Sequence, residues 1–412
     1  MLIPVRAGAQ GVVDLGHAEA PLHGPWKFAT GDDMRRADPR FDDKGWETVS
    51  LAPATGAHDP DVGLAGYVPG WMLRGHAGYH GFAWYRLRIR WSAPAGGLVL
   101  LGPPMIDDAY QVYWNGRLIG GVGDFSYAVP VAYAAKPTLL RVPETGASGE
   151  AVVAIRTFLT PLVRRDGDAG GIHIAPVLAT REAGEARHVV QWTSTILGYV
   201  ADAIEPLLLL AVAGFALFAG RLEPDRRSSL GFAAALALTA LLRANQVFLF
   251  WFSVLSIEEF TIAKYALLQP LCLLAWVLAW NRWPGPPRAR LDHAALGLAV
   301  VCGLVALADD SMTIARAAAR LGFAICFLLP AVRIARDGPD RVPALLALLL
   351  VAVGQFAEEL SAIGLVGIWF PFGVGVSRTQ YALALLIPLL VLLFARCALR
   401  RQSLTTAAGV TA

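Results

Sequence analysis

After Gln191 the chain carries seven long apolar stretches, and every second connection between them is rich in arginine. A helix needs roughly 20 apolar residues to cross a hydrocarbon core of about 30 Å. The stretches at 196–219, 229–252, 261–281, 291–308, 313–334, 342–366 and 378–398 predict seven spans. The stretch at 291–308 is the shortest, and the one at 313–334 carries Arg316 and Arg320. A chain of this kind folds against lipid, where backbone polar groups are satisfied inside helices.

The charge content agrees. Only 16% of the 412 residues are charged, against about 25% in an average soluble domain. The deficit lies in the second half; the first half reads as soluble. A net charge of +3, with arginines at span boundaries rather than in a patch, argues against a nucleic-acid partner. Cys272, Cys302, Cys326 and Cys397 all fall in the apolar half, so the soluble half has no disulfide framework.

Orientation follows from the Arg/Lys bias of short loops. Arg221, Arg226 and Arg227 follow the first span, and Arg282, Arg288 and Arg290 the third. Arg333, Arg336 and Arg341 follow the fifth, and Arg396, Arg400 and Arg401 the seventh. The other side offers Lys264, Arg316 and Arg378. The C-terminus is therefore expected in the cytoplasm of a bacterial cell, and the N-terminal domain in the periplasm. Exporting such a domain calls for a signal peptide. Ala7-Gly8-Ala9 resembles a cleavage site, so Met1 is expected to lie inside a longer signal sequence. Chance Ala/Gly in an Ala-rich chain is the alternative.

Within 24–160 the pattern is of strands and turns. Tyr85, Leu87, Ile89 and Trp91 alternate with Arg86, Arg88 and Arg90, a strand with one buried face. Leu98 to Leu101 is a short apolar run. Tyr110, Val112 and Trp114 lead into Asn115-Gly116, a hairpin signal, with a return strand from Leu118. Val152 to Phe158 is a further strand. Short strands with Gly/Pro-rich turns predict a β-sandwich.

The succession Gly24-Pro25-Trp26-Lys27-Phe28, Phe41-Asp42-Asp43-Lys44-Gly45-Trp46, Trp84-Tyr85-Arg86 and Tyr113-Trp114-Asn115-Gly116-Arg117-Leu118-Ile119-Gly120 resembles a known domain. It is similar to the galactose-binding-like jelly roll at the N-terminus of family 2 glycoside hydrolases. There the domain is not catalytic, and no hydrolase barrel follows here. A jelly roll followed by seven helices resembles the bacterial seven-transmembrane receptors with diverse intracellular signalling modules (7TMR-DISM). That resemblance implies a periplasmic sensor of a small molecule or saccharide. Its output would be a cytoplasmic kinase, diguanylate cyclase or phosphatase, which the residues after Arg401 are too few to contain. The sequence is then expected to be part of a longer protein, or the output belongs to a partner. Receptors of this type often form homodimers, though no span here is dominated by a GxxxG pattern.

Polar residues inside spans are costly and by default functional. Asp202 and Glu205 lie one turn apart in the first span, and Arg243 and Gln246 one turn apart in the second. Arg320 lies in the fifth. Gln355, Glu358 and Glu359 share one face of the sixth by the i, i+3, i+4 rule. From the rise of about 1.5 Å per residue, Asp202 lies about 9 Å below the outer end of its span. Arg243 and Glu358 lie about 21 Å and 24 Å above the inner ends of theirs. These residues are expected to form one pocket or ion-pair network in the outer half of the bilayer; static salt bridges are the alternative.

The aromatic and polar loop at 66–81 offers Trp71, Arg74, His76, Tyr79 and His80 for stacking on a sugar and bonding its hydroxyls. The alternative is a long connection packed on the sandwich. His76 and His80 lack an acidic partner, so no metal site is read there. Asp107 and Asp108 read as turn-forming rather than catalytic. The connector from Arg181 to Val190 reads as a short helix feeding the first span, and the loop from Trp369 to Gly373 as an aromatic belt or docking point.

The reading is an all-β jelly-roll sandwich followed by an all-α seven-helix transmembrane bundle. A residual signal and linker occupies 1–20, the sandwich 21–180, the connector 181–195, the bundle 196–400 and a short tail 401–412. No catalytic residue, metal or cofactor is expected. The function expected is reception; a transporter or channel is the alternative, although no inverted repeat is evident. A membrane enzyme would need a Ser/His or His-rich constellation, which the chain lacks.

Overall fold

The computed structural model describes residues 11–14, 18–58, 64–92, 97–134, 136–143, 148–161, 167–221, 227–283, 285–308, 313–337, 340–369 and 376–410. The expected signal segment and most of the loop from Trp369 to Gly373 lie outside them. The chain forms two compact units. One comprises residues up to Leu197 together with Leu249–Glu258; the other comprises Gly198–Phe248 and residues from Glu259 onward.

The first unit is rich in β-structure. One sheet contains β1 (Gly11–Asp14), β3 (Trp26–Thr30), β4 (Glu47–Val49), β5 (Gly81–Ser92), β8 (Ala109–Trp114), β9 (Arg117–Val122) and β11 (Ser148–Leu159). Its main path runs β4-β3-β5-β11-β8-β9, with β1 added in parallel to β5. A second sheet runs β10 (Leu139–Arg141), β6 (Leu98–Leu101), β13 (Val177–Thr180) and β2 (Glu19–Pro21). The short strands β7 (Ile106–Asp107) and β12 (Gly171–Ile172) pair with each other. Trp26, Phe28, Tyr85, Ile89 and Ile155 of the first sheet share one core with Leu98, Leu100 and Leu178 of the second.

One local expectation holds closely. The β8–β9 hairpin turns at Asn115 and Gly116, with φ of 47° and 83°, the left-handed pair that a two-residue hairpin requires. Asn115 also accepts the Val152 N–H through Oδ1 at 2.8 Å, tying the turn to β11.

The alternation in β5 needs one correction. Arg88 and Arg90 face outward, but Arg86 is buried, as is Trp84 on the same face. The Phe41-to-Trp46 turn folds back over the sheet. Asp43 Oδ2 accepts from Arg86 Nε at 2.8 Å, and the Arg86 guanidinium lies 5.6 Å from the Phe41 ring centre. An arginine is tolerated in that position because its charge meets a carboxylate and its plane meets a ring.

From β13 the chain passes directly into helix α1 (Arg181–Gly198), followed after Tyr199 by α2 (Val200–Gly220). The chain continues with α3 (Arg227–Val247), a π-helical segment Phe248–Phe252, α4 (Ile257–Thr261), a second π-helical segment Ile262–Leu268 and α5 (Gln269–Arg282). Then come α6 (Ala289–Ala306), α7 (Thr313–Asp337), α8 (Arg341–Gln355), the short α9 (Ala357–Ala362) and α10 (Arg378–Val410). Packing runs α2–α3–α5–α6–α7–α8–α10, and α10 returns to α2, so the helices close a ring. Its core is largely Ala, Leu, Phe and Trp; at Gly231 the helix backbone comes close to Ala279.

Among the described residues six helices are long and apolar enough to cross a membrane: Arg181–Gly220, Arg227–Phe252, Ile257–Arg282, Ala289–Ala306, Ile314–Arg336 and Arg378–Arg400. The stretch expected to span continuously at 342–366 does not. Helix α8 has 15 residues, about 22 Å, and stops at Phe356. Two arginines satisfy carbonyls that the interruption leaves open. Arg320 Nη2 donates to Gln355 O at 2.7 Å, and Arg378 donates to Ala357 O at 2.9 Å and to Val366 O at 3.1 Å.

Candidate functional site

The helical unit holds a network of buried charges. Asp202 and Glu205 occupy one face of α2, and Arg243 comes from α3, the helix packed against it. Arg243 Nε donates to Glu205 Oε2 at 2.8 Å, and its Nη2 donates to Asp202 Oδ1. The three side chains are 15%, 8% and 5% exposed, so the pair interactions are made out of bulk water. The other Asp202 oxygen accepts from Gln380 Nε2 of α10 at 3.1 Å. One carboxylate thus joins α2 to α3 and α10, each of which packs against α2.

A second group forms where α8 breaks. Arg320 of α7 binds both oxygens of Glu359, with Nη2 to Oε2 at 2.9 Å. Its guanidinium also lies 5.3 Å from the Phe356 ring centre. Glu358 turns elsewhere and accepts from Tyr265 OH at 3.2 Å. Lys264, beside Tyr265, stands 4.7 Å over the Tyr265 ring and interacts electrostatically with both Glu358 and Arg243. Glu358 attracts its charge and Arg243 repels it.

The structure brings Asp202, Glu205 and Arg243 together, and separately Arg320, the Gln355 carbonyl and Glu359. Gln355, Glu358 and Glu359 do not share one helix face, because the helix stops between the first and the other two. Gln246 is half-buried near the end of α3, and no hydrogen bond of the network described here involves it. Its neighbour Asn245 is the buried residue, with Nδ2 3.4 Å from Phe260 O. Gln380, Tyr265, Lys264 and Arg378 were not singled out from the sequence as network members. Lys264 and Arg378 were visible there only as outer-side charges.

A guanidinium shared between two carboxylates on one helix can exchange partners without leaving either carboxylate far from a cation. Removing it altogether would strand buried charge, which costs several kcal/mol. Among the described residues no group of three His, Cys, Asp or Glu side chains is placed to hold a metal.

The aromatic loop of the β unit is mostly committed to packing. Trp71 is 1% exposed, lies in the core against Phe28 and Tyr79, and donates Nε1–H to Tyr79 O at 3.1 Å. It has no free face on which a sugar ring can stack, which corrects its assignment to a ligand site. Tyr79 is likewise occupied: its hydroxyl donates to Phe82 O at 2.7 Å and accepts the Gly31 N–H at 2.9 Å. Arg74 donates to Ser50 O at 3.1 Å, and His76 pairs with Glu47 at 3.0 Å. His80 is half-buried, and its Nδ1 is buried without a hydrogen-bond partner.

The acidic pair lies nearby. Asp108 accepts the Thr160 N–H at 3.0 Å. Asp107 Oδ2 accepts the Gly170 N–H at 2.8 Å and meets His173 Nε2 at 3.1 Å. His173 Nδ1 meets Val68 O at 3.0 Å, and the Tyr67 ring stacks on the imidazole with centres 5.1 Å apart. Both ring nitrogens face acceptors, so the imidazolium is the form that satisfies both. Burial opposes that charge, but Asp107 outweighs it and raises the His173 pKa above its ordinary value.

No protein-family model matches the sequence, and no curated protein matches it. Solved structures do resemble part of the chain. A Bacteroides uniformis β-glucuronidase shares 18% identity at a TM-score of 0.28, over 39% of this chain and 17% of that one. A glycosyl hydrolase family 2 member from Bacteroides cellulosilyticus shares 17% identity at 0.28, over 39% and 20%. A Faecalibacterium prausnitzii β-glucuronidase shares 16% identity at 0.27, over 44% and 33%. This chain spans a third or less of these enzymes' length. A likeness at this level transfers no activity.

Proposed function

We propose that this chain is a bacterial inner-membrane receptor of the seven-transmembrane type with diverse intracellular signalling modules. Its β unit is a periplasmic, galactose-binding-like jelly roll that senses a small molecule, with saccharides the first class to test. Seven helices, the short α8 among them, pass the signal to a cytoplasmic kinase, diguanylate cyclase or phosphatase. The arginine-rich connections support a C-terminal end on the cytoplasmic side.

One observation carries this reading. Strand β13 ends at Thr180 and α1 begins at Arg181, opening a helical stretch of 40 residues to Gly220. That stretch carries Asp202 and Glu205, the two carboxylates that Arg243 bridges. Apart from the turn at Tyr199 the chain stays helical from the last strand to the ion pairs, which supports movement passing along it.

The test uses the full chain in lipid nanodiscs, titrated with neutral and acidic saccharides and with periplasmic extract. A ligand should raise the unfolding temperature and change amide exchange in 200–206. If no saccharide shifts the protein, the sugar version fails. A ligand that binds and leaves 200–220 unchanged sinks the receptor reading.

A second reading, a transporter or channel, draws on the interrupted helices. The two π-helical segments and the break at Phe356 lie beside Arg243, Lys264, Tyr265, Glu358 and Glu359, and broken helices at polar residues characterise transport sites. Uptake of a labelled solute or ion into proteoliposomes, lost in Arg243→Gln, would favour it over reception.

A further inference from the structure

The chain passes between its two units three times, at 197/198, 248/249 and 258/259. Each passage leads to the charge network within about two helical turns. Asp202 and Glu205 follow the first, Arg243 precedes the second, and Lys264 and Tyr265 follow the third. The second passage falls within the π-helical segment Phe248–Phe252, and the third within α4, which leads directly into the π-helical segment Ile262–Leu268.

The segment Leu249–Glu258 is held inside the β unit by specific bonds. Ile257 N–H donates to Ala132 O at 2.9 Å, and the Ile257 side chain packs against Ala109, Ala132 and Phe158. Lys136 Nζ donates to Trp251 O at 3.1 Å. The same ammonium lies 5.8 Å from the Trp192 ring centre of α1. One lysine between β9 and β10 therefore touches two of the three connections.

We infer that Lys136 and Ile257 couple the β unit to the Arg243 network, so that the state of each biases the other. A displacement around Ala132 to Lys136 moves α1 through Trp192 and the 249–258 segment through Trp251 and Ile257. Along α1 it reaches Asp202 and Glu205. Along the segment it reaches Arg243 on one side and Lys264 and Tyr265 on the other. Lys264 and Tyr265 lie within the second π-helical segment, so a change in its winding swings both side chains about the helix axis. The receptor reading supplies what displaces the β unit; the coupling itself needs no ligand.

The test is amide hydrogen exchange on the full chain in nanodiscs without any ligand. Lys136→Met keeps the stem and removes the ammonium. Ile257→Pro removes the N–H at the first residue of α4, where proline suits a helix. Arg90→Ala, which breaks an exposed pair with Glu150, is the control. Both coupling variants should speed exchange in 200–206, 243–247 and 262–268 by about 5-fold or more, with 84–89 and 152–156 unchanged and the control inert. Because coupling is reciprocal, Arg243→Gln should speed exchange in 131–136 by a similar factor. Wild-type rates in all three helical segments for both variants would overturn the inference, as would wild-type rates at 131–136 in Arg243→Gln. A failed ligand screen leaves this result standing, and a failure here leaves the ligand test of the receptor reading untouched.

Discussion

Arg320 meets the Gln355 carbonyl where helix α8 stops, with Nη2 donating at 2.7 Å. The same guanidinium binds Glu359 beyond the break and covers the Phe356 ring. An interruption among apolar helices needs such a partner, because an unsatisfied carbonyl in a nonpolar setting is costly. The charge that looked like a blemish on the fifth span is what stabilises the broken sixth stretch.

Arg320→Ala should therefore cost about 2–3 kcal/mol, the loss of charge-assisted hydrogen bonds. Arg320→Lys should recover only part, because an ammonium cannot span both Glu359 oxygens and the carbonyl. Denaturation of the full chain in bicelles, followed by exchange in 355–362, measures both. Equal stability of all three proteins would contradict the role given to this arginine.

The Arg243 network predicts a non-additive series. Arg243→Gln alone should cost about 3–5 kcal/mol by stranding two carboxylates. Adding Asp202→Asn and Glu205→Gln should restore most of that stability, since neutral partners no longer need a cation. A triple variant as unstable as the sum of its parts would show that the arginine contributes mainly by packing.

His173 predicts a loss of stability toward high pH. Its pKa in the folded chain lies above the ordinary 6.5, because Asp107 outweighs burial. The contribution is thus fully present below pH 6.5 and is lost as the pH rises through the folded value. Amide exchange near Val68 and Gly170 should accelerate over that window, and His173→Gln should abolish the pH dependence. A flat profile in the unsubstituted protein would refute the charged pair.

Asp43 predicts the opposite slope. Burial alone would raise its pKa, but hydrogen bonding to Arg86 and the nearby Arg88 charge hold it below 3.8. Its contribution is present above pH 3.8 and is lost as the pH falls through the folded value. Asp43→Asn should cost about 3 kcal/mol at neutral pH and flatten acid unfolding of the β unit, read by the fluorescence of the unit's tryptophans.

What could be read in the sequence were features set by neighbours along the chain. The alternation of Tyr85, Leu87, Ile89 and Trp91 marks a strand because side chains alternate faces with period two. Asn115-Gly116 marks a turn because those residues tolerate positive φ. The apolar lengths marked most of the helices, since lipid-crossing length is a property of one segment. Asp202, Glu205 and Arg243 stood out because charge is rare in such segments.

Tertiary structure decided the rest, where the controlling partner is distant. Arg86 is buried because Asp43, far back along the chain, folds over it. Trp71 lies in the core rather than on a binding face because Phe28 and Tyr79 close around it. Nothing in the apolar run before Phe356 announces a break; Arg320 and Arg378, from two other helices, make it tolerable. Gln380 completes the Asp202 site only because α10 returns to pack on α2. Local patterns determined which segments become strands and helices, through steric and hydrophobic periodicity. Which charges meet was decided by packing, because an ion pair depends on distance in space and the sequence records only distance along the chain.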